Sequence, residues 1–358
     1  VKLRPIRRPG TYRRQVTKRA VVAGLAVAAL AAGCGAHPAA RKAQAAAVVS
    51  PLPTPAPLPS PSPSSSADVD PLTGEAPRPT GSVVVVKVDN GGLARPYQRG
   101  LGAAAIVYQE LVEAGETRFA AVFTTAPAGE VGPVRSVRES DIELLRQYGD
   151  VPVAFSGGNS GVKATFHAAV RAGYLLDASY DVVPQDYRLG ERRSDARNFF
   201  TTPSSLAASR PGTPAHDIGL RFGPLPLGAG TATTAAKAVF SPFVTVRAQY
   251  VPETGRWAVF QNKREMAGVA PANVVIQRVP IRMSRYVDVL GNRTPYTVTT
   301  GSGPATVLRD GVAVAATWQR PTAADGTHFV DALGNDVPLR AGPTWVLLLP
   351  NTGALALG

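Results

Sequence analysis

Val83-Val84-Val85-Val86-Lys87-Val88 runs directly into Asp89-Asn90-Gly91-Gly92. A run of β-branched residues closed by Asp, Asn and Gly reads as a buried strand ending in a polar loop. Residues 106–110 and 118–124 read as two further strands joined across Glu113-Ala114-Gly115-Glu116. Residues 139–148 read as a helix, 151–155 as a strand, and 161–171 as a helix stopped by Gly173. Strands mixed with helices predict an α+β or α/β domain over 71–210. A Pro/Gly-rich stretch, 211–235, reads as a linker. Beyond it the pattern is β. Segments 245–251 and 257–261 flank the turn Pro252-Glu253-Thr254-Gly255, and 305–309 and 312–316 flank Asp310-Gly311, a strong hairpin signal. With strands at 274–279 and 345–349, residues 236–350 predict a small, mostly-β domain, a sandwich or barrel, before a tail at 351–358.

The chain has 358 residues, enough for two domains, and 44% hydrophobic residues, enough for a substantial core. Its 33 Pro and 35 Gly fit linkers and turn-rich β structure. The net charge of +13 is concentrated at the N-terminus: the first 33 residues hold eight basic residues and no acidic one, leaving +5 for the remainder. No basic run survives there, so the composition gives no sign of nucleic-acid binding, although mild positive charge favours anionic wall polymers or lipid headgroups.

Residues 1–33 read as a signal peptide: a basic segment to Arg19, then the short apolar stretch AVVAGLAVAALAAG, too short to span a membrane. Cys34, the only cysteine, follows at once. Ala31-Ala32-Gly33-Cys34 resembles a lipobox, with Ala31 where Leu is usual, and implies diacylglycerol on the Cys34 thiol. Arg13-Arg14-Gln15-Val16-Thr17-Lys18 resembles a twin-arginine export signal, with Val16 and Thr17 in place of the usual Phe and Leu. Residues 34–70 read as a disordered, lipid-anchored tether. Prolines alternate with small residues from Pro51 to Pro63, which favours extended polyproline II at about 3.1 Å per residue. The globular part is therefore expected on the extracytoplasmic face of the membrane.

Several blocks carry a family resemblance. Asp70-Pro71-Leu72-Thr73-Gly74, Val88-Asp89-Asn90, Tyr108-Gln109-Glu110, Val112 to Phe119 and, most specifically, Gly132-Pro133-Val134-Arg135-Ser136-Val137-Arg138 resemble the N-terminal domain of the YerB-like lipoprotein family. Gly301-Ser302-Gly303, Leu308-Arg309-Asp310-Gly311 and Thr317-Trp318 resemble its C-terminal domain. Arg197-Asn198 stands where that family often has His-Asn. The resemblance covers about residues 70–350 and implies an envelope lipoprotein. It implies no mechanism.

The chemistry-bearing residues cluster in the N-terminal half. Asp89, Asn90, Arg95, Glu110, Glu113, Arg118, Arg135 and Arg138 gather near the first three strands. Asp89, Glu110 and Glu113 are the candidate acid/base residues. Asn90, Arg95, Arg118, Arg135, Arg138, Gly157 and Gly158 are the ligand-binding candidates. Parity separates the two glutamates: Ile106, Tyr108 and Glu110 share one strand face, so Glu113 joins Glu110 only if the strand ends or bulges between them. Arg135 and Arg138 share a face if the segment after Gly132-Pro133 turns helically. Ser156-Gly157-Gly158-Asn159-Ser160-Gly161 joins a strand to a helix, either as an anion cradle or as a tight turn; it matches neither a dinucleotide fingerprint nor a P-loop. The arginines and carboxylates could equally form internal ion pairs. The dispersed His37, His167, His216 and His328 give no metal-ligand spacing, and no cofactor motif or serine-hydrolase elbow is present. Two readings remain open: a non-enzymatic module binding a cell-wall polymer, a small anionic ligand or an envelope protein, or a hydrolase or transferase acting on wall glycan or a phosphoester. If Cys34 carries lipid, Cys34→Ser abolishes labelling by a fatty-acid probe and releases part of the protein from membranes; equal labelling of variant and wild type contradicts this.

Overall fold

A computed structural model describes residues 68–124, 129–190 and 198–358. The signal peptide, Cys34 and nearly all of the expected tether lie outside the described residues. Asp70, at the end of the expected tether, is buried, accepting from the Leu72 amide (2.8 Å) and the Thr124 hydroxyl (2.5 Å).

The strand Val84–Asp89 is buried at every position. One edge pairs antiparallel with Thr117–Phe123 along its full length. The other edge is shared, running parallel to Pro152–Ala154 and meeting Val134 of the strand Val131–Val134 at Val88. With both edges paired and both faces covered, an unbroken β-branched run is the expected composition. Ile106–Leu111 pairs on the far side of Thr117–Phe123.

The structure corrects the expected C-terminal sandwich or barrel. Thr344–Pro350 lies parallel to Ile106–Leu111 on one side and to Asn273–Val279 on the other. Gly301–Arg309, Val312–Arg320 and His328–Val330 continue the same sheet, which counts 14 strands among the described residues. The cause is in the composition: Thr344–Pro350 is buried at all seven positions, which suits the middle of a sheet covered on both faces rather than one wall of a small sandwich.

Three layers result. One face of the large sheet, through Val84, Val86, Phe119, Ile276, Trp345 and Leu347, packs on a five-stranded sheet through residues such as Phe240, Val246 and Trp257. The opposite face, through Val85, Tyr108, Val122, Val346 and Leu348, packs on helices α1 (Glu139–Leu145) and α2 (Ser160–Arg171) through Leu144, Leu145, Val162 and Phe166. Strands Val244–Val251 and Arg256–Gln261 of the smaller sheet alternate buried and exposed positions along most of their length, as a sheet with one covered face requires. The stretch 211–235 is not a loose connection: Ala215 and Ile218 are buried, Phe222 bridges to Leu339, and Thr231–Ala232 pairs with the strand Val312–Arg320. Nor is 351–358 a free tail, because Ala354–Leu357 pairs with Ala235–Ser241.

Trp345 sits where the chain's two halves meet. It is 1% exposed, stands edge-on to Phe119 at 5.2 Å between ring centroids, and donates its indole N–H to Gln109 Oε1 at 3.4 Å. Trp345→Ala is expected to cost about 3–5 kcal/mol, as large-to-small core changes do. Because the strand belongs to both halves, the loss should appear as one cooperative transition moving to lower denaturant. Two separated transitions, with only one displaced, would contradict the shared-sheet account.

Candidate functional site

Strand register brings the first residues of the site together. Asp89 lies directly opposite Arg118, and Arg118 directly opposite Glu110. Opposed residues project from the same face, so Lys87, Asp89, Arg118 and Glu110 all point toward the helical layer. The register thus keeps Tyr108 and Glu110 on one face, as the parity of the sequence requires.

Deepest on this face is an ion cluster around Lys87. Its ammonium, with 0% side-chain exposure, contacts Glu110 at 2.6 Å and Asp141 at 2.5 Å. Ser140 donates its hydroxyl to the second oxygen of Glu110 at 2.7 Å. Asp141, in the first turn of α1, also accepts the Arg138 amide at 2.6 Å, half of a capping box. Burial pushes the Glu110 carboxyl up, but the Lys87 charge together with the hydrogen bonds from Lys87 and Ser140 holds the group below its ordinary value. Asp141 goes the other way: burial and then the Glu110 charge raise it to about 7, against the pull of Lys87.

Above this cluster opens a cleft of about 510 Å³. Asp89, Glu113, Arg118, Arg135, Arg138, Gly158 and Asn159 line it, with Leu93 and the tip residues Val287 and Val289 at its rim. Arg135 Nε approaches Asp89 Oδ2 at 2.9 Å, close enough for an ion pair but not aligned as a hydrogen bond. Arg138 donates to Glu113 through Nη2 at 2.6 Å and Nε at 3.0 Å. Burial raises the Glu113 carboxyl, yet the Arg138 charge and the Thr294 hydroxyl bring it below its usual value. Arg118 is left short of partners. Its Nη2 reaches Asp89 only at 3.7 Å, and its Nε and Nη1, both enclosed, have no acceptor among the described residues. Burial, then repulsion from Arg138, lowers its guanidinium to about 10, still charged at neutral pH.

Comparison with known proteins follows from this architecture. Residues 72–215 match the N-terminal domain, and residues 237–346 the C-terminal domain, of DUF3048, a family of proteins of unknown function. The chain belongs to the DUF3048 family. A Bacillus subtilis (strain 168) protein named "Putative lipoprotein YerB" is 37% identical over 98 residues, 27% of this chain and 29% of that protein's length. A crystal structure of YerB protein from Bacillus subtilis superposes with a TM-score of 0.66 at 21% identity, covering 80% of this chain and 98% of that one, a likeness of fold.

Within this DUF3048 fold the expected site residues divide. Asp89, Glu113, Arg118, Arg135, Arg138 and Gly158 meet in the cleft. Glu110 lies beneath it, 1% exposed and held by Lys87 and Ser140. Glu113 follows the end of the strand Ile106–Leu111 in a short 3-10 turn and is held by a different cation, so the two glutamates are not a pair. Asn90 turns to the opposite side, donating to Thr117 at 2.7 Å and Gln261 at 2.8 Å. Arg95 pairs with Glu116 at 3.0 Å. Gly157 accepts the Val137 amide at 3.3 Å and does not line the cleft. The expected helical turn after Gly132-Pro133 is also corrected. Val131–Val134 is a strand, Arg135 stays extended beside Lys87 (N–H to O, 2.9 Å), and α1 begins only at Glu139. Arg135 and Arg138 therefore share the cleft from a strand end and a helix start, not from one helical face. Lys87, Ser140 and Asp141 were not among the expected residues, although a lysine inside a run of valines marks a buried charge that must find carboxylates.

The raised Asp141 value makes stability depend on pH. The folded state holds this proton more tightly than a free carboxyl at 3.8, so its contribution is fully present below pH 3.8 and is lost as pH rises through about 7. Glu110, held below 4.5, works in the opposite sense: its contribution is present above 4.5 and is lost as pH falls. Asp141→Asn is expected to flatten the fall in melting temperature between pH 3.8 and about 7. Parallel pH profiles for variant and wild type would contradict it.

Proposed function

We propose that this chain is an extracytoplasmic lipoprotein, anchored through Cys34, whose arginine cleft binds an anionic ligand: a phosphate or carboxylate group of a cell-wall polymer or of a small molecule. The observation that carries the reading is Arg118. A charged guanidinium enclosed with two unbonded N–H groups leaves strong donors without acceptors, which is costly unless something supplies them. Formal charge is balanced in the cleft: Arg118, Arg135 and Arg138 stand against Asp89, Glu113 and Asp288, and Glu116 is engaged by Arg95, so the reading rests on the unmade hydrogen bonds of Arg118 and not on surplus charge. Guanidinium groups suit oxyanions because their fork donates two parallel hydrogen bonds. The name of the Bacillus subtilis relative and the small residues before Cys34 support the anchored location.

The hydrolase or transferase reading has less to stand on. Glu110 is sealed beneath the cleft, and Glu113 is clamped in its ionised form by Arg138, so neither is placed to exchange protons with a substrate.

Arg135→Ala separates ligand binding from internal pairing. If the cleft binds anions, the variant keeps its melting temperature within a few degrees but loses roughly tenfold in affinity for inorganic phosphate or for purified anionic wall polymer. If Arg135 serves only to neutralise Asp89, its removal costs about 3–5 kcal/mol of stability and leaves binding unchanged. Full stability with unchanged binding rejects both.

A further inference from the structure

A second cleft, of about 340 Å³, lies between the segment 95–103 and the hairpin that follows Arg256–Gln261. It is lined by a side-chain amide whose orientation is fixed by a chain of hydrogen bonds. Trp345 Nε1 can only donate, and it donates to Gln109 Oε1 at 3.4 Å. Gln109 must therefore turn its nitrogen outward, and that nitrogen donates to Thr117 Oγ1 at 2.9 Å and to Gln261 Oε1 at 3.1 Å. From the other side, the Asp89 backbone carbonyl can only accept, and it accepts from Gln98 Nε2 at 2.8 Å. The same nitrogen donates to Asn90 Oδ1 at 3.0 Å, which turns Asn90 Nδ2 onto Gln261 Oε1 at 2.8 Å. Both chains converge on the oxygen of Gln261, so its assignment is fixed by donor-only and acceptor-only groups at their ends. Gln261 is 2% exposed, it lines the cleft, and its Nε2 has no partner.

The hairpin supplies a cation beside that amide. Asn262 and Lys263, with φ of 47° and 69°, form a two-residue turn with both φ positive. Gln261 thus pairs directly across from Arg264, and opposed side chains share a face about 5 Å apart at Cβ. Arg264 is exposed and makes no ion pair among the described residues. Glu265, opposed to Phe260 on the ladder, also lines the cleft, as do Arg95 and Arg99, which are paired with Glu116 and Glu130. Leu101, Met266 and Val269 give the cleft apolar walls. Gly102 and Gly268 bring those walls into backbone contact, since a Cβ on Gly102 would lie 1.9 Å from Gly268 O.

We propose that this cleft is a second binding site, for a small carboxylic acid with a short aliphatic body: one carboxylate oxygen accepts from Gln261 Nε2, Arg264 offsets the charge, and Leu101, Met266 and Val269 cover the hydrocarbon. The volume lies at the lower end of the roughly 300–1,000 Å³ typical of small-molecule sites. This site is separate from the arginine cleft and does not rest on its reading.

The test uses the full chain with 15N-labelled glutamine and arginine side chains and isovalerate as the probe. The Gln261 side-chain NH2 resonances, identified by their loss in Gln261→Glu, are expected to shift saturably on titration. Arg264→Ala, a change at an exposed position, should weaken that binding roughly tenfold, whereas Arg118→Met should leave it unchanged. Gln261→Glu keeps an acceptor for Asn90 and Gln109 but removes the donor, so it should abolish binding where the fold is retained. An unmoved Gln261 amide in the wild type overturns the proposal, as does equal affinity in Arg264→Ala. Isovalerate shifting the Arg118 resonances and not the Gln261 amide also overturns it, and places the carboxylate in the other cleft.

Discussion

An ammonium group with no water around it has to be met by carboxylates, and Lys87 imposes that condition on three parts of the fold at once. Its own strand lies two positions from an acceptor on Ile106–Leu111 and faces another at the start of α1. An uncompensated buried charge is strongly destabilising, so the strand, its second neighbour and the helix have one mutual arrangement. Everything in the arginine cleft inherits it. Asp89 is two residues beyond Lys87 on the same face, and Arg138 precedes the helix that carries Asp141. The lysine is structural, yet it sets where the functional groups stand.

The second organising feature is that the two family domains are not separate bodies. Ile106–Leu111 belongs to one and Thr344–Pro350 begins within the other, and they are hydrogen-bonded neighbours. The polar path that fixes Gln261 crosses the same seam, from Trp345 through Gln109. Both clefts therefore draw residues from distant parts of the sequence. Val287 and Val289 come to the rim of a site whose arginines precede residue 140, and Gln261 to a wall opposite Leu101.

Much of this was legible residue by residue and little of it pair by pair. The runs at 83–88, 106–110, 118–124, 274–279 and 345–349 announce strands because β-branched and aromatic residues recur there without helical spacing, and strands are found at each. What a run cannot show is its partner. A strand buried on both faces reads the same in a small barrel as at the centre of a wide sheet, which is why the C-terminal half looked self-contained. The acid–arginine cluster was legible as a group, and five of its members share a cleft. Its internal pairing was not, because that depends on register: Arg118 opposite both Asp89 and Glu110 is a property of three aligned strands, visible in none of them alone. The extended path of residues 135–138 was hidden for a related reason. Its backbone groups bond to Lys87 and Ser156, partners that no local pattern identifies.

The position of Thr344–Pro350 in the middle of the sheet also governs the order in which the molecule can be completed. Ile106–Leu111 needs a partner on its outer edge, and the strand that supplies it is made more than two hundred residues later. Until then the N-terminal half presents an open, apolar strand edge, the kind of surface that pairs with any extended chain nearby. Contacts so far apart in sequence form late and slowly. A nascent chain of this architecture is an assembly hazard for most of its synthesis, and becomes a finished protein only when its last strands arrive.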